Sequence, residues 1–305
     1  MNSAGKTVVV TGASSGIGHA TVARLAHSGW NVFPVVRKQE DAESLQREFG
    51  PQVSPLIFDI TDRDSITAAA DKLRFDLGSR GLDALVNNAG IGMMRPVEFA
   101  TEEDLRHIFE VNVFGQIAVT QAFLPMLRRN RGRIVNIGSV GTHIGLPFGG
   151  LLNSSKSAFR SLNDALRLEL RSAGVRVVII EPGAIKTPAV EKTLGDVEGV
   201  IRSLPPRGVD EYGDMMRKFA RRGYKLESNG SHPDVVAQAI ERALTEHRPS
   251  PRYAAGKHAN LLAFLGVVVP AVILDILLLK ALGLPTKLAA PEKQSWEAGR
   301  VRRTV

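Results

Sequence analysis

Short runs of β-branched and apolar residues punctuate the first part of the chain: Thr7–Val10, Val32–Val36, Val53–Phe58, Ala84–Val86, Ile134–Ile137 and Val175–Ile180. They show little polar alternation, the pattern of strands covered on both faces. Between them, residues 16–28, 40–49, 62–78, 102–130 and 151–173 repeat apolar positions at helical spacing. This alternation predicts an α/β fold with a doubly wound, mostly parallel sheet. Right-handed crossovers would place helices on both faces. Pro233–Glu246 reads as a further helix, opened by His232-Pro233-Asp234 with proline near its first position, and Arg248–Ala255 as a last strand.

Two stretches break the rhythm. Residues 188–231 are rich in glycine, proline and charge and weakly periodic. An insertion this long in a compact domain predicts a functional element, here a substrate lid. Leu261–Leu279 is apolar apart from Asp275. Its length approaches that of a membrane span, yet Gly266, Pro270 and Asp275 interrupt it, and Arg252, Lys257, Lys280 and Lys287 flank it. The run supports three roles: a helix capping the core or closing the substrate site, a helix lying on a membrane surface, or a span. Any membrane association is expected through residues 261–282. Residues 286–305, with Arg300, Arg302 and Arg303, read as an exposed basic tail. The expected division is a single domain at 1–256 that includes the lid, then an apolar C-terminal helix and basic tail at 257–305.

The 305 residues are 44% hydrophobic and 23% charged, which excludes a disordered chain and a many-span membrane protein. No cysteine is present, so disulfides and thiolate metal sites are excluded, and no metal is expected. A net charge of +8 favours nucleotides, phosphates and anionic surfaces. The basic residues are dispersed and no nucleic-acid motif accompanies them, so no nucleic-acid partner is expected. Met1–Lys6 is too short and polar for a signal peptide, and a cytoplasmic protein is expected.

Candidate chemistry begins at Thr11-Gly12-Ala13-Ser14-Ser15-Gly16-Ile17-Gly18, between the first strand and the first helix. Gly12 permits a tight turn, Gly16 lets backbone approach a pyrophosphate, and Gly18 lets helix pack closely on sheet. The helix N-terminus offers free N–H groups to phosphate, so Gly12, Ser14, Ser15, Gly16, Ile17 and Gly18 are expected to bind a dinucleotide. NAD sites place a carboxylate at the end of the second strand to hold the ribose 2′-hydroxyl. Here that position is Val36, followed by Arg37 and Lys38. Two cations in place of a carboxylate favour NADP(H) over NAD(H). Asp59 and Ile60 close the third strand, where a carboxylate reaches toward adenine.

These residues resemble the short-chain dehydrogenase/reductase family over roughly residues 5–256, and most nearly its branch acting on retinol, steroids and other hydrophobic alcohols or ketones. The glycine motif matches the family's TGxxxGxG. Asn87-Asn88-Ala89-Gly90 matches its NNAG, and Pro182-Gly183 with Ile185 and Thr187 matches its nicotinamide segment. Asn112, Ser139 and Lys156 match three members of its catalytic tetrad. The resemblance implies a Rossmann domain, cofactor contacts at Asn88, Ala89, Gly90, Lys156, Pro182, Gly183, Ile185 and Thr187, and a homodimer formed through the helices at 102–130 and 151–173. The substrate would lie among residues 91–96, 140–150 and 188–230, where Met93, Met94, Ile144, Leu146 and Phe148 are apolar.

The family signature is Tyr-x-x-x-Lys, but Leu152 stands four residues before Lys156. Residues at i and i+4 share a helix face. In the family the ammonium lowers the phenol's pKa, so the tyrosine exchanges a proton with the substrate oxygen. Leucine has no proton to give. Ser139 would still orient the oxygen, Lys156 would hold the nicotinamide ribose, and Asn112 would support a water relay. The chain has only three tyrosines, Tyr212, Tyr224 and Tyr253. A lid tyrosine and His143 are the candidate substitute acids. Two functions remain: an oxidoreductase acting on a hydrophobic alcohol or ketone with impaired proton transfer, and an inactive nucleotide-binding relative serving as sensor or scaffold.

Overall fold

Val8 and Val10 join the apolar layer on one side of the first strand and Val9 the layer on the other, and all three are wholly buried. That arrangement explains the unbroken apolar runs: the central strands are roofed on both faces, while the edge strand at Leu56–Ile57 leaves Ile57 exposed. The computed structural model describes residues 5–287. Its strands are β1 (Thr7–Val10), β2 (Asn31–Val36), β3 (Leu56–Ile57), β4 (Ala84–Asn87), β5 (Arg133–Ile137), β6 (Arg176–Pro182) and β7 (Arg252–Ala255). They form one sheet in the order β3-β2-β1-β4-β5-β6-β7, with every pairing parallel. The order reverses between β1 and β4, which opens the crevice where such sheets bind ligands, outside the carboxyl ends of the strands.

The helices are α1 (Gly16–His27), α2 (Gln39–Phe49), α3 (Arg63–Leu77), α4 (Glu102–Phe109), α5 (Gln116–Asn130), α6 (Gly150–Glu169), α7 (Pro188–Val190), α8 (Val197–Arg202), α9 (Pro206–Ser228), α10 (Asp234–Thr245), α11 (Ala259–Val268) and α12 (Ala271–Leu282). Val22 and Leu25 of α1, Leu45 of α2 and Ile240 of α10 cover one face of the sheet. Leu73 of α3 and Phe123 and Leu127 of α5 cover the other. Removing a fully buried side chain such as Phe123 from water contributes about 2–3 kcal/mol.

Prolines shorten two expected strands. Pro55 cannot donate to a ladder, so the run expected at Val53–Phe58 pairs as an isolated Val32–Val53 bridge and then Leu56–Ile57. Pro249 and Pro251 likewise delay the last strand to Arg252.

The expected helix at 102–130 is interrupted by a π-helical turn, Glu110–Gly115. A Cβ at Gly115 would stand 2.6 Å from the Ile60 carbonyl oxygen, so glycine permits this close approach. Residues 188–231 are largely helical, and α9 spans 23 of them. Val209, Tyr212, Met216, Phe219 and Ala220 make its apolar stripe, packed with Met94 and Phe148 in a satellite core.

The single C-terminal helix expected at 261–279 is two helices, because Pro270 cannot continue the first. No helix among the described residues is long and apolar enough to cross a membrane. The expected basic tail falls, beyond Lys287, outside the described residues.

Candidate active site

Each sequence-derived site residue lies at or near the carboxyl ends of the strands. Gly12 (φ +64°) and Gly16 (φ +57°) take left-handed backbone in the turn after β1. Ser15 makes no side-chain cap, which leaves the first-turn amides of α1 free for a phosphate. This cradle fits a dinucleotide pyrophosphate. Thr11, not among the expected site residues, joins the turn to the Asn88 loop. Its hydroxyl accepts from the amides of Asn88 at 2.9 Å and Ala89 at 3.0 Å, while Asn88 Nδ2 donates to the Thr11 and Gly12 carbonyls at 2.9 and 3.1 Å.

Arg37 follows β2 and is 76% exposed; its guanidinium stands 3.7 Å from the carboxylate of Asp59, beyond β3. Partial burial raises the Asp59 pKa, but the Thr61 amide and hydroxyl, together with Arg37, outweigh it and hold it below the usual range. Ile60, the residue after Asp59, is buried.

Asn112 sits in the π-helical turn and is wholly buried. Its Oδ1 accepts from the Ile91 amide at 2.9 Å, and its Nδ2 donates to the Ile91 carbonyl at 2.9 Å and to Ser155 Oγ at 3.0 Å. Both amide protons are therefore engaged within the chain. Lys156 Nζ donates to the Ile137 carbonyl at 2.9 Å, and burial pushes its pKa down to about 8. Gly90 faces both: a Cβ there would lie 3.1 Å from Asn112 Oδ1 and 3.4 Å from Lys156 Nζ, so the NNAG loop closes directly over the lysine.

Ser139 Oγ accepts from the Gly141 amide at 3.0 Å, and among the described residues its own proton has no acceptor. Leu152 is half-buried on α6, one turn before Lys156. The helical apolar repeat expected over residues 151–173 holds only in part. Leu151, Ser155, Lys156, Phe159 and Asn163 turn inward, while Leu162 is 40% exposed.

The candidate substitute acids, and Tyr253, are each engaged by a carboxylate. Tyr212 donates to Glu98 at 2.9 Å, and Tyr253 to Glu246 at 2.5 Å. Hydrogen bonding to Glu191 pushes the Tyr224 phenol up. His143 and Glu181 side chains are only 7% and 4% exposed. His143 Nε2 lies 3.1 Å from Glu181 Oε2 and Nδ1 lies 3.5 Å from Arg160 Nη1. The other Glu181 oxygen, Oε1, stands 3.4 Å from Arg160 Nε without hydrogen-bond geometry.

Three positioning residues, Asn136, Asn163 and Glu227, carry no motif and were missed in the sequence, while Asn87 stood in the NNAG run without a role of its own. Asn87 Nδ2 donates to Asn136 Oδ1 at 2.8 Å, and Asn136 Nδ2 to Asn163 Oδ1 at 2.9 Å, linking β4, β5 and α6 through the buried interior. The polar Asn136 inside an apolar strand run was the available signal. Glu227, near the end of α9, accepts from the Ile185 amide at 3.1 Å. Burial pushes its carboxyl up, opposed by that hydrogen bond. Glu227 thus ties the expected lid to the segment Pro182, Gly183, Ile185 and Thr187.

An open cavity of about 330 Å³ is lined by Pro96, Pro147, Phe148, Tyr212, Met215 and, from the C-terminal segment, Leu279, Leu284 and Pro285. Of the apolar residues expected around the substrate, Phe148 lines it, whereas Met94 and Ile144 are buried and Met93 and Leu146 lie off its wall.

The family described as short chain dehydrogenase matches residues 6–197. Human retinol dehydrogenase 5 is 33% identical over 289 residues, covering 92% of this chain and 90% of its own. The 17-beta-hydroxysteroid dehydrogenase type 6 of Rattus norvegicus is 34% identical over 280 residues, covering 90% and 87%. A short chain dehydrogenase from Burkholderia cenocepacia, solved in complex with NADP, superposes with a TM-score of 0.70 at 27% identity, covering 92% of this chain and 99% of its own. Sequence, sheet order and cradle agree: the chain belongs to the short-chain dehydrogenase/reductase family and is an oxidoreductase.

Proposed function

We propose that the protein transfers hydride between NADP(H) and a hydrophobic alcohol or ketone, slowly, because Leu152 replaces the proton-exchanging tyrosine. The observation that carries this reading is the pairing of a buried, hydrogen-bonded Lys156 with leucine one turn earlier. The nucleotide machinery is intact while the residue meant to move the proton is apolar. The absence of a carboxylate at Val36 and the exposed Arg37 support NADP(H), as does the NADP complex of the Burkholderia relative. The retinol and hydroxysteroid names of the relatives support a hydrophobic substrate, and Phe148, expected beside the substrate, lines the apolar cavity, whose wall includes none of Asn112, Ser139, Leu152 and Lys156.

The bound cofactor supplies or accepts the hydride. The first-turn amides of α1 hold its pyrophosphate and Arg37 its 2′-phosphate. Lys156 holds the nicotinamide ribose. Ser139 donates its free proton to the substrate oxygen, and Asn112 fixes the Ile91 loop against α6. Proton exchange falls to water, since among the described residues no side chain takes the phenol's place. Exposed Leu162 and Leu168 on α6 support pairing of two copies through that helix.

Leu152→Tyr tests the reading. General acid catalysis contributes about 10²–10⁴ in rate, so ketone reduction should rise at least ~10²-fold while NADPH affinity holds. An unchanged rate with a ketone that the wild-type protein reduces rejects the proton-transfer account. The same leucine favours a second reading, a nucleotide-binding sensor without turnover. NADPH binding with no turnover by either protein across a panel of hydrophobic ketones would select it.

A further inference from the structure

The C-terminal hairpin presents an apolar face with no partner among the described residues. Leu261, Phe264, Val267 and Val268 project from α11, and Val272, Ile273, Ile276 and Leu277 from α12, each between 39% and 74% exposed. The spacing places each set on one side of its helix. The opposite sides are seated: Gly266 presses on the backbone of His143, and Leu274 and Leu284 are buried. Eight exposed apolar side chains on two consecutive helices mark an interaction site rather than ordinary surface.

Charge around the face is one-sided. From Lys257 to Lys287, Asp275 is the only acid. Lys257, Lys280 and Lys287 are exposed at its margins. Exposed Lys218, Arg221, Arg222 and Lys225 repeat at helical spacing along α9, and Arg222 Nη1 donates to the Ala281 carbonyl at 2.8 Å, which brings that stripe to the end of α12. An apolar face rimmed by cations complements anionic headgroups above acyl chains. A second copy fits less well, because self-association about a two-fold axis would bring the basic rims together. The helices have 10 and 12 residues. At 1.5 Å per residue they reach about 15 and 18 Å, against about 30 Å of hydrocarbon, so they lie in the surface.

We propose that α11 and α12 seat the protein on an anionic lipid surface, with the mouth of the apolar cavity at the edge of the seat. Leu279, Leu284 and Pro285 belong both to this hairpin region and to the cavity wall, so an apolar substrate dissolved in the lipid would meet that cavity directly. The substrate path rests on the function proposed above; the docking does not.

Flotation of the full-length protein tests the docking, using vesicles of phosphatidylcholine alone and with about 30% phosphatidylserine. The wild-type protein should float with the anionic vesicles. Joint substitution of Phe264→Ser, Val268→Ser, Ile273→Ser and Leu277→Ser should reduce binding by more than about tenfold, with an unchanged circular dichroism spectrum. Joint Lys218→Gln, Arg221→Gln and Lys225→Gln should weaken it by about tenfold or more, and added salt should act the same way. Equal flotation of wild-type and serine variant, or none by either, overturns the proposal. So does a concentration-dependent wild-type dimer that the serine substitutions convert to monomer without vesicle binding. Wild-type flotation with no gain in turnover when ketone is supplied in vesicles removes only the substrate path.

Discussion

Asn112 brackets the backbone of Ile91, accepting its N–H and returning a bond to its carbonyl, both at 2.9 Å. With the third bond, to Ser155, one side chain ties the loop after β4 to α6. Asn112→Leu strands the Ile91 amide and carbonyl and should cost about 1–3 kcal/mol. Asn112→Asp keeps an acceptor but loses both donors and should cost a similar amount. Urea unfolding measures the loss; a change below about 0.5 kcal/mol would mean that water replaces the side chain freely.

Lys156 carries a pH signature. Burial lowers it from 10.5 to about 8. Below about pH 8 both folded and unfolded chains carry the charge, so the folded state bears the full burial cost. Between about 8 and 10.5 the unfolded chain binds more protons, and this group's contribution makes stability rise with pH. Lys156→Met should stabilise the apoprotein at neutral pH by on the order of 1–3 kcal/mol. The gain should shrink at alkaline pH, and NADPH binding should weaken. Urea melts of both proteins across that window check the sign.

Arg37 and Asp59 stand 3.7 Å apart at the end of the cleft expected to take adenosine. A charge-assisted bond to a 2′-phosphate contributes about 1.5–3 kcal/mol. Arg37→Glu should therefore weaken NADPH binding about 10–100-fold, leaving NADH nearly unchanged. Fluorescence titration with both cofactors decides; equal weakening of the two removes the 2′-phosphate role.

Glu181 lies buried between His143 and Arg160. Together they join β6, α6 and the 3₁₀ turn after Ser139, which spans Val140–His143. Glu181→Gln leaves a half-buried guanidinium without its counter-ion and should cost about 2–4 kcal/mol. Adding Arg160→Met should recover part of that loss. A purely additive double variant would show that the pair acts separately.

Much of this architecture was legible because its strands are covered on both faces. The Val9 run leaves no polar alternation to misread, and the glycine turn follows it immediately. Less legible was whatever depended on backbone phase or on distant partners. Gly208, Gly213 and Gly223 disguised α9, whose apolar stripe from Val209 to Ala220 keeps helical period. Nothing near Asn112 announces a π-helical turn, because the constraint is the Ile60 carbonyl, which lies across the fold. Glu227 read as one charge in a charged segment until α9 carried it to Ile185.

The widened turn at Glu110–Gly115 makes chain length itself a determinant of the site. An α-helix advances about 100° per residue. Excising one position between Phe109 and Gln116 would leave α4 and α5 chemically unchanged, yet rotate everything upstream by about that angle relative to α5. Insertions and deletions here carry consequences that a tally of side-chain replacements would not reveal. A variant of this protein one residue shorter in the turn could retain every motif and still lose the grip of Asn112 on Ile91.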